Sequence, residues 1–337
     1  MILLASNENP LGMPESARRA VAAALQQADA GCYPDANGSA LKKALSARLE
    51  VPADWLTLGS GSSEILELAV QVCTRSGQRV VYSQYGFLVY GQAIANAHAH
   101  AAVVPARDFG HDLEAMLAAV GADTRLLFVA NPNNPTGTFI EAPQLLAFLE
   151  RVPAQVSVLL DEAYTEYLAP AQRYNSMDWV RRFPNLIVTR TFSKAYGLAG
   201  LRIGYGVAQP TLSAKLNARR PRFNVTMPAQ VAALAALDDA AWLRQTYEVN
   251  AAGRQQLVTG LQALGLRCIP SSGNFVMVQA GDAKALHAQL LAQGIAVSPL
   301  DLYGLPEWLR ISVGLPDQNR RLLAVISATF VATEVAA

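Results

Sequence analysis

The chain has 337 residues, of which 52% are hydrophobic and 16% charged, and its formal net charge is +1. That length suits about two domains, and so apolar a composition supports a large core and excludes a disordered chain. The near-neutral balance excludes a general electrostatic attraction to nucleic acid or to anionic membrane.

Cys32, Cys73 and Cys268 have no metal-ligand spacing and fit a reducing compartment, where thiols stay free. The run from Met1 to Glu8 lacks a basic leader followed by a long apolar stretch, so no signal peptide is expected. No apolar run approaches transmembrane length. The cytoplasm is the expected compartment.

Short apolar runs alternate with amphipathic stretches along the first two thirds of the chain. Gly59-Ser60-Gly61-Ser62-Ser63-Glu64 opens a predicted helix over 62–74. Its apolar stripe is Ile65, Leu68, Ala69, Val72 and Cys73, with Ser62 as the expected N-cap and Gly77 as the stop. Strands are predicted at 79–82, 101–104, 125–130, 156–160, 186–189 and 203–207. Helical patterns separate most of them, which predicts βαβ units and a mainly parallel sheet buried on both faces. The last two strands are closer together, so one of them is expected to run antiparallel. After Pro210 the pattern changes. An Ala-rich helical stretch over 227–250 leads to a strand at 275–279, a helix at 282–293 and a strand at 309–313. The fold class is therefore α/β with a smaller α+β domain. The expected limits are 28–212 for the large domain and 1–27 plus 213–337 for the small one.

Three polar motifs follow directly on predicted strands: Asn131 to Gly137, Asp161-Glu162-Ala163-Tyr164, and Thr191-Phe192-Ser193-Lys194. In a parallel sheet all three open onto the carboxyl edge, where α/β proteins bind ligands. Of the five lysines, Lys194 alone stands at a strand end beside hydroxyls. A lysine that condenses with a carbonyl must be partly desolvated or near positive charge, so that it can be neutral. Asp161 is placed to hold a proton on a pyridine nitrogen, which makes the ring an electron sink. Tyr164 and Asn134 can both donate to a phenolate oxygen. The helix start at Gly59–Glu64 offers free N–H groups and a positive dipole to a phosphate, and Thr191, Ser193 and Arg202 complete a cup. Tyr85 is a candidate to stack on the ring. On its strand the Arg310 side chain points opposite to Leu309 and Ile311, and it can clamp an anion with paired hydrogen bonds. Together these residues spell a pyridoxal-phosphate site.

In this order the motifs resemble the fold-type I aminotransferases, and within them the histidinol-phosphate aminotransferase branch. The resemblance runs from Ser6-Asn7-Glu8-Asn9-Pro10 through Tyr33-Pro34-Asp35, Asn133 to Gly137, Asp161 to Tyr164 and Thr191 to Arg202, and ends at Leu309 to Gly314. It implies the cofactor pyridoxal 5'-phosphate, attached to Lys194, which also moves the proton in transamination. It implies that Ser62 and Ser63 join Thr191, Ser193 and Arg202 on the phosphate. It further implies a homodimer in which Tyr33 reaches the partner's cofactor phosphate. Arg310, helped by Asn7 and Asn134, would take the substrate's anionic group. The implied substrates are a small amino donor and a 2-oxo acid such as 2-oxoglutarate. Where the branch has an arginine after 294–297, this chain has Ser298, which also admits an aromatic or other bulky amino acid as donor. A phospho-amino-acid decarboxylase on the same scaffold and a non-catalytic cofactor-binding sensor are the alternatives. Carbon dioxide release without amino transfer marks the first, and a cofactor never converted by any amine marks the second.

Overall fold

The computed structural model describes residues 1–27 and 31–336, and of residues 330–336 the helix alone. Thirteen strands are described: β1 (Ile2–Leu3), β2 (Leu56–Gly59), β3 (Arg79–Ser83), β4 (His100–Val104), β5 (Thr124–Ala130), β6 (Ser157–Asp161), β7 (Leu186–Thr191), β8 (Gly204–Ala208), β9 (Cys268–Ile269), β10 (Phe275–Gln279), β11 (Ile295–Ala296), β12 (Ser298–Leu300) and β13 (Leu305–Ser312). Seven form one sheet in the order β2-β8-β7-β6-β5-β3-β4. The five from β7 to β4 run parallel, and β8 lies antiparallel to both of its neighbours. The six predicted strands are all present, shifted by at most two residues. One end strand, β2, is absent from the sequence-based expectation.

The parallel strands are continuous apolar runs because both faces are covered. Leu127, Val129, Leu160 and Val188 pack into one apolar cluster, while Leu126, Phe128, Leu159 and Ile187 pack into another on the opposite face. A second, antiparallel sheet has the order β12-β13-β10-β9, and β1 pairs in parallel with β11 beside it. The amino-terminal arm thus continues into the smaller unit, and Ser312 N–H donates to Leu4 O at 2.8 Å.

The apolar packing does not follow the expected limits at 27/28 and 212/213. Ala17, Val225 and the buried alanines of helix Met227–Leu237 belong to the cluster of the large sheet, and Leu212 and Leu216 pack on its other face. Leu4, Leu257 and Leu261 join the cluster of the small sheet. The predicted helix over 227–250 is two helices, Met227–Leu237 and Ala240–Ala263. Asp239 between them caps the second by accepting from Trp242 N–H. Asp favours caps over helix interiors for this reason. Among the described residues no helix is long and apolar enough to cross a membrane.

The helix Ser62–Cys73 begins as expected, but its N-cap is Gly61 at φ 78°, and Ser62 is its first helical residue. Its amino terminus approaches β8 closely. A Cβ on Gly204 would lie 2.4 Å from Ser62 N and 2.7 Å from Gly61 C, so only glycine fits there. We predict that Gly204→Ala lowers stability by about 1–3 kcal/mol in urea unfolding, through a backbone clash that no rotamer relieves. Gly200→Ala, whose Cβ would meet nothing within 4 Å, should leave the midpoint unchanged.

Candidate active site

A cavity of ≈ 410 Å³ lies at the carboxyl edge of the parallel strands. It is lined by Ser62 and Ser63 from the helix start, Asn134 after β5, Asp161 at the end of β6, Tyr164 beyond it, and Thr191, Ser193, Lys194 and Arg202 around β7. Asn7 from the amino-terminal arm and Arg310 from β13 close it on the side of the smaller unit. Eleven of the thirteen residues expected from sequence therefore converge here.

The other two do not line it. Tyr85 stacks on Phe109 with ring centroids 5.9 Å apart, in a small apolar cluster that includes Trp308. Its own segment sends Phe87 and Tyr90 to the cavity wall instead. Tyr33 is 81% exposed, stacks on Phe223 at 4.5 Å, and lines a neighbouring cleft that shares Gly200 and Arg202 with the cavity.

Asp161 is buried, and burial is the main cause that pushes its carboxyl up to about 6. Two side chains work against that cost. Tyr90 Oη–H donates to Oδ2 at 2.9 Å, and Thr189 Oγ1–H donates to Oδ1 at 3.2 Å. Thr189 stands directly across from Asp161 in the β6–β7 register. The next residues along, Glu162 and Arg190, point to the opposite face, where the buried Glu162 pairs with the half-buried Arg190 at 2.9 Å. Ser176 donates to the same Glu162 oxygen at 2.9 Å. The two strand ends are thus fastened on both faces of the sheet.

Lys194 Nζ donates to Ser6 O at 2.9 Å. Its pKa falls to about 8, first because of burial and then because the Arg310 charge disfavours the ammonium, with Glu8 acting in the opposite sense. Tyr164 is buried, and desolvation raises its phenol to about 12. The phenol therefore stays a donor, while its oxygen accepts from Asn7 Nδ2 at 3.0 Å. Asn7 is itself fixed: its N–H donates to Ser312 Oγ at 2.8 Å, and its O accepts from Asn274 Nδ2 at 2.9 Å.

Arg310 Nη1 donates to Asn134 Oδ1 at 2.5 Å and Nη2 to Ala5 O at 2.6 Å, while Nε is buried without a partner. On the side of the larger sheet Arg202 Nη1 donates to Ser193 Oγ at 3.3 Å and to Ala199 O at 3.0 Å. Its guanidinium lies over Gly61, where a Cβ would come 2.4 Å from Nη2. Glycine at 61 thus lets a cation sit against a helix amino terminus, which suits a doubly charged anion. A nucleophilic amine, a buried carboxylate and an anion cup in one cavity fit pyridoxal phosphate.

Residues 1–326 match the model of the family "Aminotransferase class I and II". The chain belongs to that family. It is 57% identical over 330 residues to histidinol-phosphate aminotransferase 1 of Cupriavidus pinatubonensis, covering 97% of this chain and 87% of the relative. It is 55% identical over 341 residues to histidinol-phosphate aminotransferase 2 of Ralstonia nicotianae, covering 100% and 91%. Among solved structures, the histidinol-phosphate aminotransferase of Sinorhizobium meliloti in complex with pyridoxal-5'-phosphate superposes with a TM-score of 0.90. That alignment is 30% identical and covers 98% of this chain and 91% of the other. The α/β expectation, with a mostly parallel sheet, is met.

Sequence reasoning missed Tyr90, Phe87 and Thr189. An aromatic in the first turn of a helix has the appearance of core, and only the register of β7 reveals that Thr189 faces Asp161.

The lysine geometry has a direct consequence. Only the neutral amine attacks an aldehyde, so trapping of pyridoxal phosphate by the cofactor-free protein should rise with pH and reach half its maximum near pH 8. Arg310→Ala removes a positive neighbour, so that midpoint should move upward. A stopped-flow pH profile measures both.

Proposed function

We propose that this chain is a pyridoxal-phosphate-dependent aminotransferase that moves an amino group from histidinol phosphate to a 2-oxo acid such as 2-oxoglutarate. The observation that carries this reading is the pairing of a depressed lysine amine, Lys194, with a buried carboxylate, Asp161, in one cavity with an anion cup. The names of the relatives from Cupriavidus and Ralstonia support the donor, and the cofactor in the Sinorhizobium enzyme supports the cofactor. When bound, that cofactor supplies an electrophilic carbonyl and an electron sink.

In this reading Asp161 holds a proton on the ring nitrogen, and Tyr164 and Asn134 hold the phenolate oxygen. Ser62, Ser63, Thr191, Ser193 and Arg202 hold the phosphate through charge-assisted and helix-terminal hydrogen bonds. Lys194 anchors the cofactor and, once freed, carries the proton at Nζ. Arg310 and Asn7 receive the donor's anionic end. Asn134 Oδ1 and Ala5 O already accept from Arg310, so an incoming anion shares or displaces those bonds.

Ser298 is the cross-strand partner of Arg310, so the neighbouring place carries a hydroxyl and no second cation. That observation favours a second reading, in which an aromatic amino acid is the donor. We also propose a cytoplasmic homodimer. The exposed Tyr33, beside a cleft that shares Arg202 with the cavity, supports a second copy docking there and reaching the phosphate.

Two measurements test the function. Lys194→Ala should lose the absorbance band of the lysine-bound cofactor and lower turnover by roughly 10⁴-fold or more, because covalent attachment and the general base are lost together. Normal transamination by this variant would overturn the mechanism. In a single-turnover screen, histidinol phosphate should discharge that band faster than phenylalanine, tyrosine, histidine or phosphothreonine. A faster reaction with phenylalanine or tyrosine replaces the donor and leaves the mechanism standing.

A further inference from the structure

Tyr90 belongs to none of the expected motifs, yet it makes the shorter of the two side-chain hydrogen bonds to Asp161. It sits in the helix Leu88–Asn96 and is 1% exposed. Its ring stacks nearly flat on Phe128, with centroids 4.3 Å apart and planes 6° from parallel. Phe87 and Tyr82 meet it edge-on at 6.1 and 6.2 Å. Three aromatic rings therefore fix where the hydroxyl points, and the same residue lines the cavity.

We propose that Tyr90 is a positioning residue for the reaction: its hydroxyl holds Asp161 as the ionised, weaker base, so that the shared proton stays on the cofactor's ring nitrogen. This rests on the function proposed above. A carboxylate buried at the end of the sheet face that carries Leu159, Ile187 and Phe128 is a strong base, because burial penalises its charge. Facing a pyridine nitrogen, a strong base keeps the proton for itself and leaves the ring neutral, which makes it a poorer electron sink. A hydrogen bond donated to the carboxylate disperses its charge and weakens it as a base. Thr189 Oγ1 and Ala163 N–H act in the same sense, and Glu162 on the far face acts against them. Tyr90 cannot surrender its own proton, since burial and the adjoining Asp161 charge hold its phenol well above the ordinary value. The hydroxyl is thus a permanent donor, unlike an ordered water that a substrate could displace.

The test compares wild type, Tyr90→Phe and Thr189→Val, each loaded with pyridoxal phosphate labelled with nitrogen-15 in the ring. Phenylalanine keeps the stacked ring and removes only the hydroxyl. The expected result is a wild-type ring nitrogen with the chemical shift of a pyridinium, moved toward that of a neutral pyridine in Tyr90→Phe. Thr189→Val, which loses the longer bond, should move less in the same direction. Turnover in Tyr90→Phe should fall roughly ten- to a hundred-fold, the size of one hydrogen bond to a charged group, with KM nearly unchanged. A wild-type nitrogen shift in Tyr90→Phe, with a lowered Tm alone, would reduce Tyr90 to a core aromatic and overturn the inference. A wild-type protein that takes up no pyridoxal phosphate would overturn the proposed function and this inference with it.

Discussion

The buried carboxylate of Asp161 is the constraint on which the rest of the site depends. An ionised acid inside an apolar sheet costs several kcal/mol unless donors meet it. The parallel register of β6 and β7 supplies one donor directly, because it puts Thr189 opposite Asp161. A helix packed on that face supplies the second through Tyr90. One residue further along, the alternation of side chains turns Glu162 and Arg190 to the other face, where they form their own pair. The same two strand ends thus carry four polar side chains as two matched couples, and Lys194 leaves β7 three residues later.

Two guanidinium groups line the cavity together with Lys194. Arg202 lies against the start of the helix Ser62–Cys73, and Arg310 enters from β13 of the smaller unit. Both guanidinium groups add to burial in lowering the pKa of Lys194. In the proposed function, anion binding and lysine reactivity are therefore one arrangement: the cations that would hold phosphate and carboxylate also lower the pKa of the lysine amine. Ser6 and Asn7 complete it from the amino-terminal arm, which is tied to β13 by Leu4 and Asn7. The arm brings Lys194, Tyr164 and the smaller unit into contact across a single short segment.

Much of this was legible in the sequence. The alternation of apolar runs pointed to the parallel strands, and the close spacing of the last two to one antiparallel strand, which the structure shows to be β8. Polar motifs directly after strands gave the cavity, since a parallel sheet gathers its carboxyl ends on one edge. What escaped notice was whatever depends on register or on packing between distant elements. Leu56–Gly59 is too short and too mixed to stand out as a strand. Asp238 and Asp239 break an alanine-rich helix that composition alone would continue. Tyr85 and Tyr90 are indistinguishable as sequence, and only the packing of Phe128 and Phe109 decides which ring reaches the wall. Helices Glu15–Gln27 and Met227–Leu237 have apolar faces that fit either unit, and the structure joins them to the large one.

The most direct test is a crystal structure of the protein grown with pyridoxal phosphate. The account predicts continuous density from Lys194 Nζ to the cofactor, and a ring nitrogen within about 3 Å of an Asp161 oxygen. It also predicts the phosphate between Arg202 and the amino terminus of the helix Ser62–Cys73. A cofactor bound with its phosphate toward Arg310, or with Asp161 out of reach of the ring nitrogen, would contradict it.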